Sequence, residues 1–385
     1  MMSNRWGPPS TSTKLQMSSS TSSSATSSAQ ETDENDGDSN NDNCVKTLDV
    51  LSLDSIRATL IRQEETIIFA LIERAQFREN SICYKPGAMG DSLGTPPGSK
   101  PVTQNSNGQD DVPQSFLEYM LVGTEALHCG VRRYTSPEEH AFFPERLPPG
   151  IMDALNELEY PSDLLSPIGN ACDVNFNPIL LEKYINVIVP AIAVVGDDEQ
   201  HGSTVLCDIA LLQALSRRVH YGKFVAESKY RSDPEGYQKL VDDGDADGVM
   251  ELLTNQAVEE MVLRRARLKA ATYGQEPLLA SLPPIENRST SSTNGSTTTR
   301  DTTSIVAAAA ASAVVAAIEA MGDDSDAASS NNKVCPSTVE AVYRDLIIPM
   351  TKDVEVAYLF RRCGREPPPE YAPDRMSVDV TRLLV

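Results

Sequence analysis

The sequence lacks the cysteine and histidine spacings of a metal site or a disulfide framework. Its seven cysteines include no CxxC pair and are odd in number, and its four histidines have no metal-ligand spacing. Thiols scattered in this way are typical of reduced cysteines in a reducing compartment. The sequence therefore predicts neither a zinc site nor a disulfide-stabilised domain.

Positive charge and long apolar runs are also scarce. Lys and Arg number 33 against 55 Asp and Glu, so the formal net charge is −22. A chain this acidic is a poor candidate for general binding of nucleic acid or anionic membranes, and a basic site has to be local. The apolar stretch 305–321 is mostly alanine and is too short to span a bilayer.

Low-complexity segments define the domain organisation. Residues 1–45 are rich in Ser and Thr and end in an acidic run, which predicts a disordered tail. A targeting segment is the alternative, because the first thirty residues contain no Asp or Glu. Residues 283–333 are rich in Ser, Thr, Asn and Ala, which predicts an insertion within a domain that spans 46–363. Residues 364–385 then form a C-terminal tail.

Hydrophobic periodicity indicates an all-α fold. Apolar residues recur at three- and four-residue steps, and no segment alternates in the manner of a strand. Ser203 or Thr204 is expected to cap the third helix, and Pro349 to bend the last. The pattern predicts a single helical-bundle domain with long helices at 51–76, 115–133, 202–230, 249–273 and 337–362, and shorter elements near 150–158 and 178–195.

Two cations lie on an apolar helix face. Arg218 and Lys229 are eleven residues apart, which is almost three full turns, so they share the face that holds Leu215, Gly222 and Val225. Burying unpaired cations costs on the order of several kcal/mol. They therefore need anions, either from the protein or from a ligand.

The other helices repeat this anomaly. Arg57 and Glu64 fall on the apolar strip of the first helix. Further polar pairs, each four residues apart, lie beside apolar side chains on the last two helices: Asn255 with Glu259, and Thr351 with Glu355.

If the four faces converge, they enclose a pocket for a small dianion, which suits binding or catalysis by positioning and electrostatics. The alternative is a set of internal ion pairs, in which Glu64 neutralises Arg57 or Arg218 and Glu355 neutralises Lys229.

Five runs resemble, in family order, the eukaryotic-type, all-helical chorismate mutases. The runs are LDSIRATLIRQEETIIFALIERAQF (53–77), VRRYTSPEEHAFFPE (131–145), LSRRVHYGKFVAESKY (215–230), TNQAVEEMVLRR (254–265) and IIPMTKDVEVAYLFRR (347–362). The resemblance implies a homodimer that converts chorismate to prephenate for phenylalanine and tyrosine synthesis. This intramolecular Claisen rearrangement requires no cofactor. A cytoplasmic location is expected, with the plastid as the alternative.

The resemblance also implies roles for the residues around the substrate. Arg57 and Arg218 match the family's carboxylate clamps, for which a planar guanidinium gives bidentate contact. Lys229 matches the donor to the ether oxygen. Glu355 matches a second group at that oxygen, and it must be protonated to donate. Because burial raises the pKa of a carboxyl group, a mildly acidic optimum is expected, although nearby cations oppose that shift.

Four further positions match supporting roles in the family. Asn255 and Glu259 match positions near the substrate hydroxyl and ring, and Thr351 matches a supporting carboxylate contact. Glu64 is interpreted as a counter-charge that holds an arginine in place.

A second site is implied by the same resemblance. Arg132 and Arg133 resemble the paired arginines of the family's effector site, and Gly202 with Ser203 resembles its partner segment. In the family this site lies at the dimer interface and receives tyrosine as inhibitor or tryptophan as activator. From the residues alone, Ser203 is a helix cap and the two arginines are a solvated pair. Cys335 replaces the threonine of strongly regulated members, so the sign and size of the response stay open.

Two other hypotheses compete with the enzyme. One is a catalytically inactive relative that acts as a regulatory or binding subunit, which the complete set of candidate residues argues against. The other is an all-α interaction scaffold held by internal salt bridges, which a chorismate-like dianion would not protect against heat.

Overall fold

The computed structural model describes residues 51–89, 93–100, 114–148, 164–274 and 332–373. Within these ranges the regular structure is helical and contains no β-strand, so the all-α prediction is confirmed. The predicted tail 1–45, the short element near 150–158, positions 283–331 of the predicted insertion and positions 374–385 of the C-terminal tail lie outside them. No helix among the described residues is long and apolar enough to cross a membrane.

The described residues form α-helices of four to 22 residues. In chain order they are α1 Leu53–Arg74, α2 Phe116–Gly130, α3 Asn177–Lys183, α4 Val189–Ile192, α5 His201–His220, α6 Gly222–Ser232, α7 Pro234–Asp243, α8 Ala246–Leu253, α9 Gln256–Tyr273, α10 Pro336–Val342 and α11 Ile348–Arg362.

Side-chain caps begin several helices, but not the long α5. Ser52 accepts a hydrogen bond from the backbone of Ser55, and thereby caps α1. The prediction that Ser203 or Thr204 caps α5 is wrong, because that helix already begins at His201. α5 begins earlier than predicted because Asp198, in the turn before the helix, accepts a hydrogen bond from the backbone N–H of Gln200 at 3.0 Å and fixes the residue that precedes His201.

Two predicted helices are each interrupted by one or two residues. The helix expected over 202–230 is interrupted at Tyr221, which separates α5 from α6. The helix expected over 249–273 is interrupted at Thr254 and Asn255, because Asn255 has extended backbone angles and its side chain caps α9. Periodicity did not reveal either break, since the apolar pattern continues across a one- or two-residue interruption.

Two π-helical turns precede proline residues. Tyr184–Ile188 joins α3 to α4 just before Pro190, and Tyr343–Ile347 joins α10 to α11 just before Pro349. Proline has no N–H and its ring clashes with the preceding turn, and a widened turn accommodates it. At Pro349, where the sequence predicted a bend, the helix is thus interrupted by a π-helical turn just before the proline.

Two apolar clusters make the core. The first includes Leu215 of α5 and Val354 of α11. The second includes Phe224 of α6 and Leu359 of α11. Arg218 lies in the sequence between Leu215 and Phe224, so a buried cation lies where the two clusters meet.

Candidate functional site

Arg218 is buried at the end of α5 and contacts Thr351 of α11. Its side chain donates a hydrogen bond to the Thr351 hydroxyl at 3.3 Å, and both residues are only 6% exposed. Burial lowers the pKa of the guanidinium, while Tyr343, Glu64 and Glu355 oppose that shift. Arginine nevertheless remains charged in proteins. A positive charge is therefore held in the core, and no carboxylate of the described residues forms an ion pair with it.

Some polar atoms near this charge have no hydrogen-bond partner. The Nε of Arg218 and the hydroxyl of Tyr343 are both buried and unsatisfied within the described residues. Leaving such a group without a partner costs about 1–3 kcal/mol. The unsatisfied guanidinium N–H and the neutral hydroxyl of Tyr343 close to it are suited to an anion with hydrogen-bond acceptors.

Glu355 lies one turn after Thr351 on α11 and is 6% exposed. Burial raises the pKa of its carboxyl group to about 7, against the opposing effects of Lys229, Arg218 and Lys352. The group can therefore carry a proton near neutral pH and act as a donor.

Lys229 of α6 is half-buried, and its ammonium group donates to the backbone carbonyl of Leu253 at the end of α8. No ion pair of Lys229 is present among the described residues, although its charge acts on Glu355. Arg218, Lys229, Thr351 and Glu355 are thus brought together as the sequence predicted.

Glu64 has a partner that the sequence analysis did not identify. Its carboxylate accepts from Arg265 of α9 through contacts of 2.6 to 3.0 Å, and Glu64 itself is 1% exposed. Glu64 also acts electrostatically on Arg218. The interpretation as a counter-charge fits this geometry, but the arginine that it holds is Arg265. Neither spacing nor periodicity pairs residues 201 positions apart.

Arg57 is not buried, contrary to its predicted place on the apolar strip of α1. Its side chain is 57% exposed and pairs with Asp54 at 3.4 Å. Arg57 is near the start of α1 and lies two turns before the buried Glu64. Arg57 and Glu64 face the same side of α1, but this side is exposed to solvent at the start of the helix, where Leu53 is also exposed.

Asn255 and Glu259 do not form a buried polar pair. Asn255 is exposed and accepts from the backbone of Val258 as the cap of α9. Glu259 is 28% exposed and pairs with Lys352 at 2.7 Å. The prediction of an apolar face here fails because the helix begins at this point. Lys352 was missed, although its position three residues before Glu355 places both on one face of α11.

The candidate effector residues occupy two separate places in the chain. Arg133 follows α2 and donates to Glu139 at 2.9 Å and to Gln213 of α5 at 3.1 Å. Gly202 and Ser203 lie exposed in the first turn of α5. Ten residues of helix, about 15 Å, separate Ser203 from Gln213.

Arg132 has a left-handed backbone, with φ of 62°, directly after α2. Glu139, which accepts from Arg133, also accepts from Arg217 at 2.6 Å, so its carboxylate links the segment after α2 to α5. Arg217 is the neighbour of the buried Arg218.

The chain is similar over most of its length to known proteins of one family. The protein named "Chorismate mutase 1, chloroplastic" of Petunia hybrida is 37% identical over 322 residues, which cover 84% of this chain and 79% of that protein. The crystal structure of Aro7p chorismate mutase from Candida albicans in complex with L-Trp is 33% identical with a TM-score of 0.60, and the match covers 82% of this chain and 94% of that chain.

A further solved structure, AtCM1 with tyrosine bound in its allosteric site, is 33% identical with a TM-score of 0.57. That match covers 82% of this chain and 98% of that one. No protein-family model matches the chain.

Proposed function

The chain belongs to the chorismate mutase family, whose members are isomerases, and from this premise we propose that the cluster around Arg218 binds chorismate and rearranges it to prephenate. The observation that carries the proposal is the buried Arg218 with its unsatisfied Nε. A substrate carboxylate supplies the anion that this cation lacks, and the desolvation cost of the charge is then offset in the complex.

Catalysis in this pocket is a matter of positioning and charge. Arg218 and Thr351 hold one substrate carboxylate, which fixes the reacting ends of the molecule in contact with each other. Lys229 donates to the ether oxygen as its bond breaks and negative charge develops there. Glu355, protonated, is the second donor to that oxygen. Both donors stabilise the transition state more than the ground state, because the charge grows during the reaction.

Three residues of the proposed site lie at its exposed side. Arg57 clamps the second carboxylate after its side chain leaves Asp54, a change that costs little because an exposed ion pair contributes about 0–1 kcal/mol. Asn255 and Glu259, at the start of α9, contact the hydroxyl and the ring of the substrate. Glu259 reaches them from its present contact with Lys352.

The proposal is tested by following chorismate loss by ultraviolet absorbance with the purified full chain. Arg218→Ala and Lys229→Ala should each lower kcat/KM by about 100-fold or more, the scale of losing one preorganised charged donor. Arg264→Ala is the matched control, because Arg264 is 75% exposed and its ion pair among the described residues is with Glu260, one turn away.

Circular dichroism confirms that each variant is helical. Full turnover in both Arg218→Ala and Lys229→Ala would contradict the site. A folded wild type with no turnover would favour the alternative, a catalytically inactive relative with the same fold.

We further propose that tyrosine or tryptophan regulates the enzyme at a site between two copies of the chain. The Candida albicans structure is a complex with L-Trp, and AtCM1 has tyrosine in its allosteric site. Arg132 and Arg133 of one copy would hold the effector against Gly202 and Ser203 of the other. The separation of about 15 Å along α5 supports a site made by two chains.

Exposed apolar side chains near both half-sites support a homodimer. Leu127 and Val131 at the end of α2 are 75% and 68% exposed, and Leu206 of α5 is 59% exposed. Large apolar side chains exposed at both half-sites are consistent with an interface between two copies. Leu206→Asp should shift the mass measured by light scattering from dimer to monomer and abolish the response to tyrosine and tryptophan. An unchanged mass would contradict this interface.

The proposed location is the cytoplasm, with the plastid as the alternative. The relative from Petunia hybrida is named chloroplastic. A fluorescent protein fused to the C-terminal end of residues 1–45 distinguishes the two locations by microscopy. Its import into plastids would contradict the cytoplasmic proposal.

A further inference from the structure

Gly222, the first residue of α6, is packed directly against α11. A Cβ atom at this position would lie 2.9 Å from the backbone oxygen of Thr351, 3.1 Å from its Cγ2 and 3.2 Å from Cγ of Glu355. Two of these distances involve side chains of the proposed site, and the shortest involves the backbone, which cannot rotate away. Any side chain larger than hydrogen therefore requires α6 and α11 to separate.

Gly222 lies between the two cations of the proposed site. Gly222 and Lys229 are seven residues apart on α6 and share its face. Arg218 lies four residues before Gly222, at the end of α5, and because Tyr221 between the two helices keeps helical backbone angles, Arg218 faces the same side. The missing side chain leaves a gap in the strip between the two cations. Thr351 and Glu355 of α11 occupy that gap.

Buried hydrogen bonds on both sides of Gly222 in the sequence hold the start of α6 in place. Lys223 is fully buried, and its ammonium group donates to the Cys172 carbonyl at 2.6 Å and the Pro137 carbonyl at 3.3 Å. The buried His220 accepts from the backbone of Phe176 at 2.9 Å. Because these buried contacts hold the start of α6 in place, a side chain at position 222 would displace α11 and its two site residues.

We propose that Gly222 is a positioning residue for the rearrangement, because its lack of a side chain lets Thr351 and Glu355 reach between Arg218 and Lys229. This inference rests on the proposed function of that cluster. Gly222 itself contacts no substrate and acts through α11.

The test compares Gly222→Ala with Gly123→Ala in the full chain. Gly123 is the matched control, because it also lies inside a helix and its added Cβ would be in ordinary contact, at 3.7 Å from Pro96. Gly222→Ala should lower kcat per folded molecule by about tenfold or more, the scale of a small misplacement of catalytic groups, whereas Gly123→Ala should not. The pH at which kcat halves should also move, since Glu355 leaves its present surroundings.

A second substitution separates positioning from general damage. Thr351→Ser removes the Cγ2 atom that an added Cβ would approach and keeps the hydroxyl that accepts from Arg218. In the Gly222→Ala background it should therefore restore part of the lost kcat, so that the two substitutions are non-additive. Thermal unfolding of each variant gives the folded fraction for the comparison.

The outcomes distinguish this inference from the function on which it rests. A Gly222→Ala enzyme with wild-type kcat, KM and pH profile, beside an inactive Arg218→Ala, would overturn the inference alone. A loss of activity that equals the loss of folded protein, with no rescue by Thr351→Ser, would do the same. A fully active Arg218→Ala would overturn the proposed site and the inference together.

Discussion

The hydroxyl of Thr351 accepts a hydrogen bond from Arg218 at 3.3 Å and donates its own proton to the backbone of Ile347 at 2.6 Å. The two residues are 133 positions apart in the sequence and lie on different helices. Because the proton of Thr351 is committed to its own helix, its lone pairs remain for the guanidinium. This contact sets the direction of the buried cation.

Replacing that acceptor should weaken both the fold and the enzyme. Thr351→Val keeps the shape but removes the hydroxyl, and a hydrogen bond to a charged group contributes about 1.5–3 kcal/mol. We expect a decrease of that size in the free energy of unfolding, measured in urea, and a decrease of about tenfold in kcat/KM. Thr351→Ser is the control that retains the hydroxyl. Equal behaviour of the Val and Ser variants would show that the hydroxyl does not orient Arg218.

The proton on Glu355 should make the reaction pH-dependent. Burial raises the pKa of this carboxyl group to about 7, so the donor is lost as the pH rises through that value. The rate of the wild type should then fall about tenfold per pH unit above neutral. Glu355→Gln donates without ionising, and its rate should be flat from pH 5 to pH 9, a range of about four units around the shifted value. A wild-type profile that is also flat would contradict the role of the acid.

The same residue predicts a pH dependence of stability with a definite sign. The folded pKa is above the ordinary value of 4.5, so the folded state holds more protons than the unfolded state between about 4.5 and 7. The contribution of Glu355 to stability should therefore fall as the pH rises through this window and then stay constant. Urea unfolding of the wild type relative to Glu355→Gln measures this difference. A difference that grows in the opposite direction would rule out the raised pKa.

The ion pair between Glu64 and Arg265 should keep a carboxylate away from Arg218. Arg265→Ala removes the close partner of a buried Glu64, which already acts electrostatically on Arg218. Glu64 would then pair with Arg218 and compete with the substrate, so KM should rise several-fold, about 1 kcal/mol of lost binding. Adding Glu64→Gln should reverse part of that rise. If the double variant is worse than Arg265→Ala, the competition does not occur.

Lys223 should make the free energy of unfolding rise at alkaline pH. Burial lowers the pKa of its ammonium group to about 7 from an ordinary value of 10.5, against the opposing effects of Cys172, Asp173 and Glu138. Arg361 also lowers it, and the neutral ring of His140 contacts the nitrogen. The unfolded state therefore binds more protons between these two values, and stability should rise with pH above about 7.

The free energy of unfolding at pH 7, 8 and 9 checks this expectation. Lys223→Met should lack the rise, because methionine does not titrate. Parallel curves for the variant and the wild type would show that Lys223 is charged in both states throughout this window, about two pH units.

The sequence alone was sufficient for the helical class and for the buried strip that includes Arg218. Periodicity reports which face of a helix is apolar, and the fold buries that face wherever the helix is flanked by neighbours. Arg218, Thr351 and Glu355 follow this rule and are each 6% exposed. The same rule failed for Arg57 and Asn255, because periodicity does not tell where a helix begins or where its apolar face reaches solvent.

Pairings between distant elements were decided by the tertiary structure. Glu64 could be recognised as a counter-charge, but its partner Arg265 is 201 positions away and only the packing of α1 against α9 selects it. The role of Gly222 likewise cannot be predicted from the sequence of α6 alone, where a glycine only weakens the helix. It becomes apparent from the close packing of α11 against this position. The sequence by itself determined that Arg218, Thr351 and Glu355 bring polar and charged groups into the core. The three-dimensional packing determined which of those charges meet, because contact depends on helices that come together only when the chain folds.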